Sequence, residues 1–359
     1  MSEVTEVMAD LMKYLKLAVE NDASDILIVA GGPVYAKIEG HMKPMDDQRL
    51  LPPQTEELVT EIYQMSDRSM KPYLESWDDD FSFSVPGLAR FRVNTYRQRG
   101  SMAAVIRVVS FDIPDWKTLR IPQQVMDLAD IEHGMVLVTG TAGSGKSTTQ
   151  ACIIDRINRT QDRHIITLED PIEYLHRNQC SIVSQREISI DTADYLSALR
   201  ACLRQAPDVI LLGEMRDPET IRTAMTAAET GHTLIATLHT KGAVNSIDRI
   251  VDAFPSTQQM QIRVQLAEVL HTVVSQQLLP DVHGELVPAY EIMHMNSAIR
   301  SLIRDNKSHQ IDNVIAAGAR EGMISMDQSI LALYRNGTIS KETALEYADN
   351  PEQLRRSMG

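Results

Sequence analysis

Eight residues near the middle of the chain have the types and spacing of a phosphate-binding loop, Gly140-Thr141-Ala142-Gly143-Ser144-Gly145-Lys146-Ser147. Glycines let the backbone turn tightly, so that consecutive N–H groups point into one concave nest that fits phosphate oxygens. The lysine adds a mobile cation for the β- and γ-phosphates, and the serine hydroxyl can ligate Mg²⁺. We therefore predict that a nucleotide contacts the loop and the first turn of the following helix, at Thr141, Ala142, Gly143, Ser144, Gly145, Lys146, Ser147 and Thr148.

The segments around this loop have the order that the motif requires. Residues 135–139 are a short apolar run rich in β-branched residues, which predicts a buried strand, and residues 146–158 read as a helix. A glycine-rich turn without a ligand is the alternative interpretation of the loop. The order of strand, loop and helix argues against that alternative.

Two acidic segments after the loop could complete a site for phosphoryl transfer. Residues 167–173 place Glu169 and Asp170 at the end of a predicted strand, where a carboxylate could orient an attacking water or hold a water bound to magnesium. A helix cap with solvated acids explains that segment equally well. Residues 208–217 contain an aliphatic run that is followed by Glu214. This is the usual form of the metal-side motif of phosphate-loop ATPases.

Two further segments carry basic side chains. His232 and His239 bracket the predicted strand 233–238. A single histidine near a strand end is usually structural, but two at the same edge, after two ATPase motifs, indicate a role in sensing the γ-phosphate. Residues 298–304 form an amphipathic turn with Arg300 and Arg304 on one helix face, which is otherwise typical of a solvated basic edge.

Composition limits the classes of function. The chain has 359 residues, which suits about two domains, and a formal net charge of -14 with 5% aromatic residues. It lacks the basic surface and the base-stacking side chains of nucleic-acid-binding proteins, so we expect no nucleic-acid partner. Three widely spaced cysteines favour a reducing cytoplasm. No apolar run approaches the ~20 residues that cross a bilayer, so we expect no direct membrane insertion.

The order of predicted elements divides the chain. Residues 1–110 read as a small α+β domain whose three strands at 78–85, 89–98 and 102–109 form an antiparallel meander. Residues 111–122 carry two prolines and read as a linker. Residues 123–359 alternate strands and helices, as parallel βαβ units do, and we expect the chain to be mostly helical after about residue 255.

Taken together, these motifs resemble the GspE/PilT superfamily of secretion ATPases, and within it the PilT-like type IV pilus retraction ATPases, or twitching motility proteins. The likeness rests on the phosphate loop, the segments Leu-Glu-Asp-Pro-Ile-Glu and Leu-Leu-Gly-Glu-Met-Arg-Asp, and the two histidine segments, in this order. It covers nearly the whole chain and extends to further segments: Arg90-Phe-Arg92-Val-Asn94, Arg97-Gln-Arg99-Gly100, Gln185-Arg186-Glu187, Ile247-Asp-Arg249-Ile, Phe254-Pro255, Ser275-Gln, Leu278-Leu279-Pro280 and Ala298-Ile-Arg-Ser-Leu-Ile-Arg304.

The resemblance implies an α/β fold: a RecA-like P-loop ATPase domain, a smaller N-terminal PAS-like α+β domain and C-terminal helices. It implies a homohexamer with ATP between the two domains and with Mg²⁺. The partners it implies are an inner-membrane pilus platform protein and, indirectly, the pilin polymer. The location would be cytoplasmic, peripheral at the inner face of the cell membrane. The chain departs from the family pattern at Thr141-Ala142, Ala206 and Ser301, but no phosphate donor or metal acid is lost.

Site roles carried over by motif are specific. Glu169 would be the catalytic glutamate that polarises water, Glu214 would act on Mg²⁺ through a water, with Ser147 as the other metal-side group, and His239 would report the γ-phosphate. Four arginines of the first domain would reach the nucleotide, two in binding and two in catalysis: Arg92, Arg97, Arg99 and Arg107. A planar, permanently charged guanidinium suits phosphoryl oxygens. In an extended strand Arg97 and Arg99 would share a face.

The function that follows is a motor ATPase for pilus retraction. An ATPase for pilus extension or type II secretion is the alternative within the superfamily. Such relatives usually carry an additional N-terminal domain and often a four-cysteine zinc motif, and this chain has neither. A nucleotide-gated scaffold that does not hydrolyse ATP, and a DNA-translocating ring, are alternatives of other classes.

Overall fold

A computed structural model describes residues 2–38, 40–109 and 113–358, without the side chains of residues 2–10. The chain divides into two compact units, Met1–Asp112 and Ile113–Gly359. Residues 111 and 112 of the predicted linker lie outside the described residues. Residues 113–122 pack on the second unit, where Ile121 is buried and Trp116 and Leu119 lie against the core.

The first unit is one antiparallel sheet with helices against it. Its strands are ordered β3-β2-β1-β6-β5-β4. The elements are α1 (Ser2–Glu20), β1 (Asp25–Ile28), β2 (Tyr35–Ile38), β3 (His41–Pro44), α2 (Pro52–Met65), α3 (Lys71–Ser76), β4 (Asp78–Val85), β5 (Ala89–Gln98) and β6 (Ser101–Val109). The predicted meander is confirmed as β4-β5-β6.

Alternation along the meander decides which face is buried. In β5, Ala89, Phe91 and Val93 are buried while Arg90 and Arg92 between them are not. Apolar residues at every second position therefore place one face of the sheet against a core that also contains α1 and α2. Charged side chains are left on the other face.

The second unit begins with α4 (Gln123–Met126) and contains a seven-stranded sheet. Its elements are β7 (Gly134–Thr139), α5 (Lys146–Thr160), β8 (His164–Glu169), β9 (Ile182–Glu187), α6 (Tyr195–Cys202), β10 (Val209–Leu212), α7 (Pro218–Glu229), β11 (Thr233–Leu238), α8 (Ala243–Asp252), α9 (Ser256–Val269), β12 (Leu270–Pro280), β13 (Leu286–His294), α10 (Ser297–Arg304), α11 (Ile311–Ala317), α12 (Met326–Arg335), α13 (Lys341–Tyr347) and α14 (Pro351–Ser357). Three short 3₁₀ segments complete it: Asp127–Asp130, Ser308–Gln310 and Ala319–Glu321.

The sheet of the second unit is buried on both faces. The strand order is β13-β12-β7-β11-β10-β8-β9, and every neighbouring pair is parallel except β12-β13. In β7, Met135 and Leu137 pack with helices α6 to α10, whereas Val136 and Val138 pack with α4 and α5. A strand covered on both faces reads as a continuous apolar run. The RecA-like α/β fold expected from the sequence is confirmed.

The expectation of a mostly helical chain after residue 255 is wrong in one region. Strands β12 and β13 form an antiparallel hairpin there, and β12 also pairs in parallel with β7. Strand β12 contains four buried polar residues, Thr272, Ser275, Gln276 and Gln277. These interrupt the apolar pattern from which a buried strand is predicted. Helices follow from residue 297 onward.

A buried carboxyl in β13 predicts how the stability of this unit depends on pH. Glu291 is 6% exposed, and its Oε1 accepts a hydrogen bond from the Ala243 N–H at 2.7 Å. Burial raises the pKa of Glu291 from 4.5 to about 7. The folded state therefore binds this proton more tightly than the unfolded state, so stability falls as pH rises from about 4.5 through 7.

We expect Glu291→Gln to raise the free energy of unfolding at pH 8 by about 2 kcal/mol, and to raise the melting temperature with it. Glutamine keeps an acceptor for the Ala243 N–H and removes the charge. The difference from wild type should shrink toward zero near pH 5. Thermal unfolding at both pH values measures it, with the exposed Glu285→Gln as the matched control. A Glu291→Gln variant less stable than wild type at pH 8 would contradict this account.

Candidate active site

The phosphate loop connects β7 to α5, as predicted. Gly145, with φ +86°, precedes the first residue of the helix, Lys146. At Gly140, φ is +145°, and a Cβ would lie 2.4 Å from the carbonyl oxygen of Gln276 and 2.5 Å from the Ser144 hydroxyl. Only glycine fits this position, because the backbone of β12 forms the floor of the loop. The Ser144 hydroxyl is buried without a hydrogen-bond partner among the described residues.

We expect Gly140→Ala to weaken ATP binding by about tenfold or more, because the loop must move off β12 to make room. Equilibrium binding of ATP measures this. Gly337→Ala is the matched control, since Gly337 also has positive φ, +71°, but has nothing within 4 Å of the added carbon. It shares the backbone strain without the collision. Equal ATP affinity of Gly140→Ala and wild type would show that the loop does not need its present path.

Lys146 lies folded against the loop that precedes it. The side chain is buried, and Nζ donates to the Thr141 carbonyl at 2.7 Å. Burial lowers the pKa of Lys146, and the charges of Glu173 and Glu214 oppose that shift. The Lys146 ammonium is therefore partly desolvated, and the negative charges of Glu173 and Glu214 stabilise its charged form.

A cavity of about 240 Å³ begins at this lysine and collects most of the predicted site residues of the second unit. It lies where β7, β8, β10 and β11 end, at the carboxyl edge of the parallel sheet, which is where ligands bind in such sheets. The predicted residues that line it are Ala142, Gly143, Lys146, Ser147, Glu169, Glu214 and His239. Thr141 and Ser144 line a neighbouring cavity of about 470 Å³ on the other side of the loop, with Ala142 and Gly143.

Glu169 is the last residue of β8, at the wall of the cavity. Its Oε1 accepts hydrogen bonds from the Thr167 hydroxyl at 2.6 Å and from the Gln185 amide at 3.4 Å. Burial raises the pKa of Glu169 from 4.5 to about 7, although the hydrogen bonds from Thr167 and Gln185 work against the rise. A carboxyl with this pKa can accept a proton near neutral pH, which suits a general base.

Glu214 follows β10 and has a different environment. Oε2 lies 2.7 Å from the Arg216 guanidinium, and Oε1 lies 3.4 Å from Nε2 of His239. Burial works to raise the pKa of Glu214, but the hydrogen bond and charge of Arg216, helped by His239, outweigh it and lower the pKa. Glu214 is therefore more acidic than Glu169, and it is held ionised.

The two histidines do not lie at the same edge of the sheet, so that expectation was wrong. His239 follows β11 and reaches the cavity, whereas His232 precedes β11, roughly 20 Å away along a six-residue strand. His232 Nδ1 contacts the Ala227 carbonyl at 2.9 Å and the Thr230 hydroxyl at 3.2 Å, at the end of α7. It is a structural cap of the helix.

Several residues of the cavity were not singled out from the sequence for a role in the site. Tyr174 bonds through its hydroxyl to the Thr148 hydroxyl at 2.9 Å, which gives the predicted Thr148 a protein partner. Gln150 of α5 donates to the Thr237 hydroxyl of β11 at 2.9 Å. The others are Glu173, His176 and Tyr195. Isolated aromatic and amide side chains have no sequence pattern of their own, so only the fold brings them here.

In the first unit, Arg92 and Arg107 lie side by side. They are directly opposite in the β5-β6 register, so they share a face of the sheet. Each has an acid beside it: Arg92 bonds to both carboxylate oxygens of Asp80, at 2.8 and 3.2 Å, and Arg107 Nε bonds to Asp25 at 2.9 Å. The acids offset the repulsion between two opposed cations.

Arg97 and Arg99 do not share a face of a strand, so that expectation was wrong as well. Strand β5 ends at Gln98, and Arg99 lies in the turn before β6 with φ +50°. The Arg97 guanidinium lies over the ring of Trp77, 4.1 Å from its centroid. Arg99 lines a cavity of about 380 Å³ that also contains Arg49. The strand ends at residue 98 as predicted, and the two-residue turn Arg99-Gly100 that joins β5 to β6 takes Arg99 off the face of Arg97.

The basic segment at 297–304 is a helix, α10, and its two arginines differ. Arg300 Nη1 donates to the carbonyls of Ala267 and Glu268 at the end of α9. Arg304 is exposed in the last turn of α10. A cation at the carboxyl end of a neighbouring helix complements its unpaired carbonyls. Arg300 therefore joins α10 to α9 and is more than a solvated charge.

The chemistry of the cavity fits a nucleoside triphosphate with Mg²⁺. The loop path, which only glycine allows at residue 140, leaves backbone N–H groups and Lys146 for phosphates, and Ser147 and Glu214 stand on the same cavity. Among residues 2–38, 40–109 and 113–358, no group of three or more His, Cys, Asp and Glu side chains could hold a metal by itself. Mg²⁺ usually takes only one or two protein ligands and keeps waters and substrate phosphates as the others. Within the same residues no helix is long and apolar enough to cross a bilayer.

Comparison with known proteins gives consistent relatives. The chain is 42% identical to a Pseudomonas aeruginosa protein named "Type IV pilus retractation ATPase PilT", over 96% of this chain and all of that protein. It is 44% identical to a Neisseria gonorrhoeae "Twitching motility protein", over 89% of this chain and 85% of that one. The structure matches the crystal structure of the pilus retraction motor PilT with bound ADP, with a TM-score of 0.87, 46% identity and coverage of 96% and 98%.

The family model described as "Type II/IV secretion system protein" matches residues 2–357. That match spans nearly the whole chain. The chain belongs to the type II/IV secretion system protein family.

Proposed function

We propose that this chain is an ATP-hydrolysing motor that powers retraction of type IV pili, and with it twitching motility. One observation carries the proposal: Lys146, Glu169, Glu214 and His239 line a single cavity beside a phosphate loop. Two relatives identical at 42% and 44%, and a similar structure with ADP bound, are named for this activity.

The phosphate loop and Lys146 bind the triphosphate. On binding, the ammonium exchanges its bond to the Thr141 carbonyl for bonds to β- and γ-phosphate oxygens. The Ser147 hydroxyl would hold Mg²⁺ directly and Glu214 would hold it through a water, and the ion would supply positive charge to the phosphates. Because Arg216 and His239 lower the pKa of Glu214, that carboxylate remains charged for this task.

Glu169 acts on the attacking water. Its carboxylate accepts a proton from the water while the water oxygen bonds to the γ-phosphorus and the bond to the bridging oxygen breaks. His239 bonds to Glu214, so a γ-phosphate on the metal side changes the position of that pair, and His239 reports its presence. The roles of Arg92, Arg97, Arg99 and Arg107 toward the nucleotide stay predictions from the family resemblance.

The motor works as a ring of six copies on the cytoplasmic side of the inner membrane. Its partners are a pilus platform protein in that membrane and, through it, the pilin polymer. Each hydrolysis event changes the shape of one subunit, and a closed ring passes that change to the next. Pilins removed at the base of the fibre then shorten the pilus.

A phosphate-release assay on the purified chain, with ATP and Mg²⁺, tests the enzyme activity. Turnover that disappears with EDTA is the expected result, and nucleotide binding without turnover would instead indicate a non-hydrolysing scaffold. Deletion of the gene tests the direction of work. Cells that keep or accumulate pili but lose twitching indicate retraction, whereas cells without pili would indicate the extension or secretion ATPase.

A further inference from the structure

The edge strand β9 holds the loop that follows Glu169. Gln185 Nε2 donates to the Tyr174 carbonyl at 2.8 Å, and Gln185 Oε1 accepts from the His176 N–H at 2.8 Å. Two positions further along, Glu187 Oε2 accepts from the Ile172 N–H at 3.1 Å. Side chains two residues apart on a strand share a face, so this face of β9 fixes residues 172–176 from the side.

The orientation of the Gln185 amide follows from the backbone it contacts. His176 offers a donor and Tyr174 an acceptor, so only one arrangement of oxygen and nitrogen satisfies both. That arrangement turns the NH₂ group toward Glu169, whose Oε1 lies 3.4 Å away. The contact is long for a hydrogen bond, as contacts around catalytic groups often are before substrate binds.

We infer that Gln185 is a positioning residue for hydrolysis: its amide sets the direction of the Glu169 carboxylate relative to the phosphate loop. The Thr167 hydroxyl and the Gln185 amide both contact Oε1 of Glu169, and together they limit the rotation of its carboxylate. The same amide fixes Tyr174, whose hydroxyl bonds to Thr148 in the first turn of α5. Gln185 thus links both the Glu169 carboxylate and the helix that follows the phosphate loop to strand β9.

This inference rests on the proposed function. The kinetic constant that changes on loss of Gln185 distinguishes a positioning role from a merely structural one. If Gln185 acts through Glu169, its loss lowers kcat and leaves KM for ATP nearly unchanged. If Gln185 only supports the loop, its loss disturbs Tyr174 and Thr148 and raises KM. An effect routed through Glu169 must also vanish when Glu169 no longer works.

The variant to measure is Gln185→Met, which keeps the length of the side chain and removes its polar atoms. We expect kcat to fall about tenfold, because a carboxylate turned away from its water loses much of its contribution, while KM stays within about threefold. Gln161→Met is the matched control: Gln161 is similarly half-buried, and its amide contacts Ala129 and Asp130 away from the cavity. Its kcat should equal that of wild type.

The double variant Gln185→Met/Glu169→Gln completes the test. It should have the same residual turnover as Glu169→Gln alone, and circular dichroism melting should show that every variant is folded. Three results would overturn the inference: a double variant with tenfold lower turnover than Glu169→Gln, a Gln185→Met variant with higher KM but unchanged kcat, or a Gln185→Met variant that does not fold. Failure of the proposed function looks different: wild type itself would release no phosphate, or Glu169→Gln would match it.

Discussion

Replacing Lys146 by alanine will lower phosphate release from ATP by about 10²-fold or more and weaken ATP binding at the same time. Lys146 is the buried cation of the cavity wall, with Nζ held at 2.7 Å from the Thr141 carbonyl. Alanine removes the charge that stabilises the β- and γ-phosphates and leaves that carbonyl without its donor. Both losses act on the phosphate loop itself.

The shape of the lysine also matters, so Lys146→Arg should not restore turnover. Burial lowers the pKa of Lys146 and shows how little water surrounds the ammonium. A planar guanidinium is larger and presents its donors in a fixed fork, so it does not fit a place built for a compact charge. Phosphate release and ATP affinity of the two variants, measured side by side, separate loss of charge from loss of fit.

Lys307→Ala is the control for the loss of one positive charge. Lys307 is half-exposed, and its Nζ lies 3.6 Å from Asp305, far along the chain from the cavity. Its turnover should equal that of wild type, because exposed ion pairs of this kind contribute little. If Lys146→Ala turned over ATP within twofold of wild type, the loop would not be the binding site for phosphates.

Much of the parallel sheet is predictable from sequence because its strands are buried on both faces. The apolar runs at 135–139, 208–212 and 233–238 became β7, β10 and β11 to within one residue. Strand β9 was missed, since an edge strand that reads Ile-Val-Ser-Gln-Arg-Glu has no continuous apolar run. Helices α6 and α8 were not predicted either.

The candidate site, like the fold, has a part that the sequence predicts and a part that it does not. The spacing of the motifs alone predicted that residues such as Lys146 and Glu214 belong to one site, and both line the cavity. What the spacing could not supply is the surroundings of each group. Gly140 must be glycine because of Gln276, 136 positions away on a strand that was predicted to be helix. Likewise, Arg216 lowers the pKa of Glu214 through a contact that depends on the path of the chain after β10.

Conversion of Glu169 to glutamine will lower turnover by about 10²-fold or more while ATP still binds. Glutamine has nearly the same shape, and its Oε1 can still accept from the Thr167 hydroxyl and the Gln185 amide. What it loses is the ability to take a proton from water. Phosphate release and equilibrium ATP binding, measured on one preparation, should therefore separate: the first falls and the second stays within about threefold.

The pH dependence of the wild type gives an independent check. Burial raises the pKa of Glu169 to about 7, so the carboxyl is mostly protonated at pH 6 and mostly ionised at pH 8. A general base works in its ionised form, so turnover should rise as pH increases through about 7. Glu169→Gln should lack that rise. A wild-type profile that is flat from pH 6 to pH 8 would remove Glu169 from the role of base.

Stability should change in the opposite direction to activity. Because the folded state raises the pKa of Glu169, ionisation at pH 8 costs stability in wild type, and the cost disappears as pH falls toward 4.5. Glu169→Gln should therefore melt at a higher temperature than wild type at pH 8 and at a similar temperature at pH 5. The exposed Glu229→Gln should leave melting and turnover unchanged. The gain in stability and the loss of turnover at pH 8 would then both come from the removal of one ionised carboxyl.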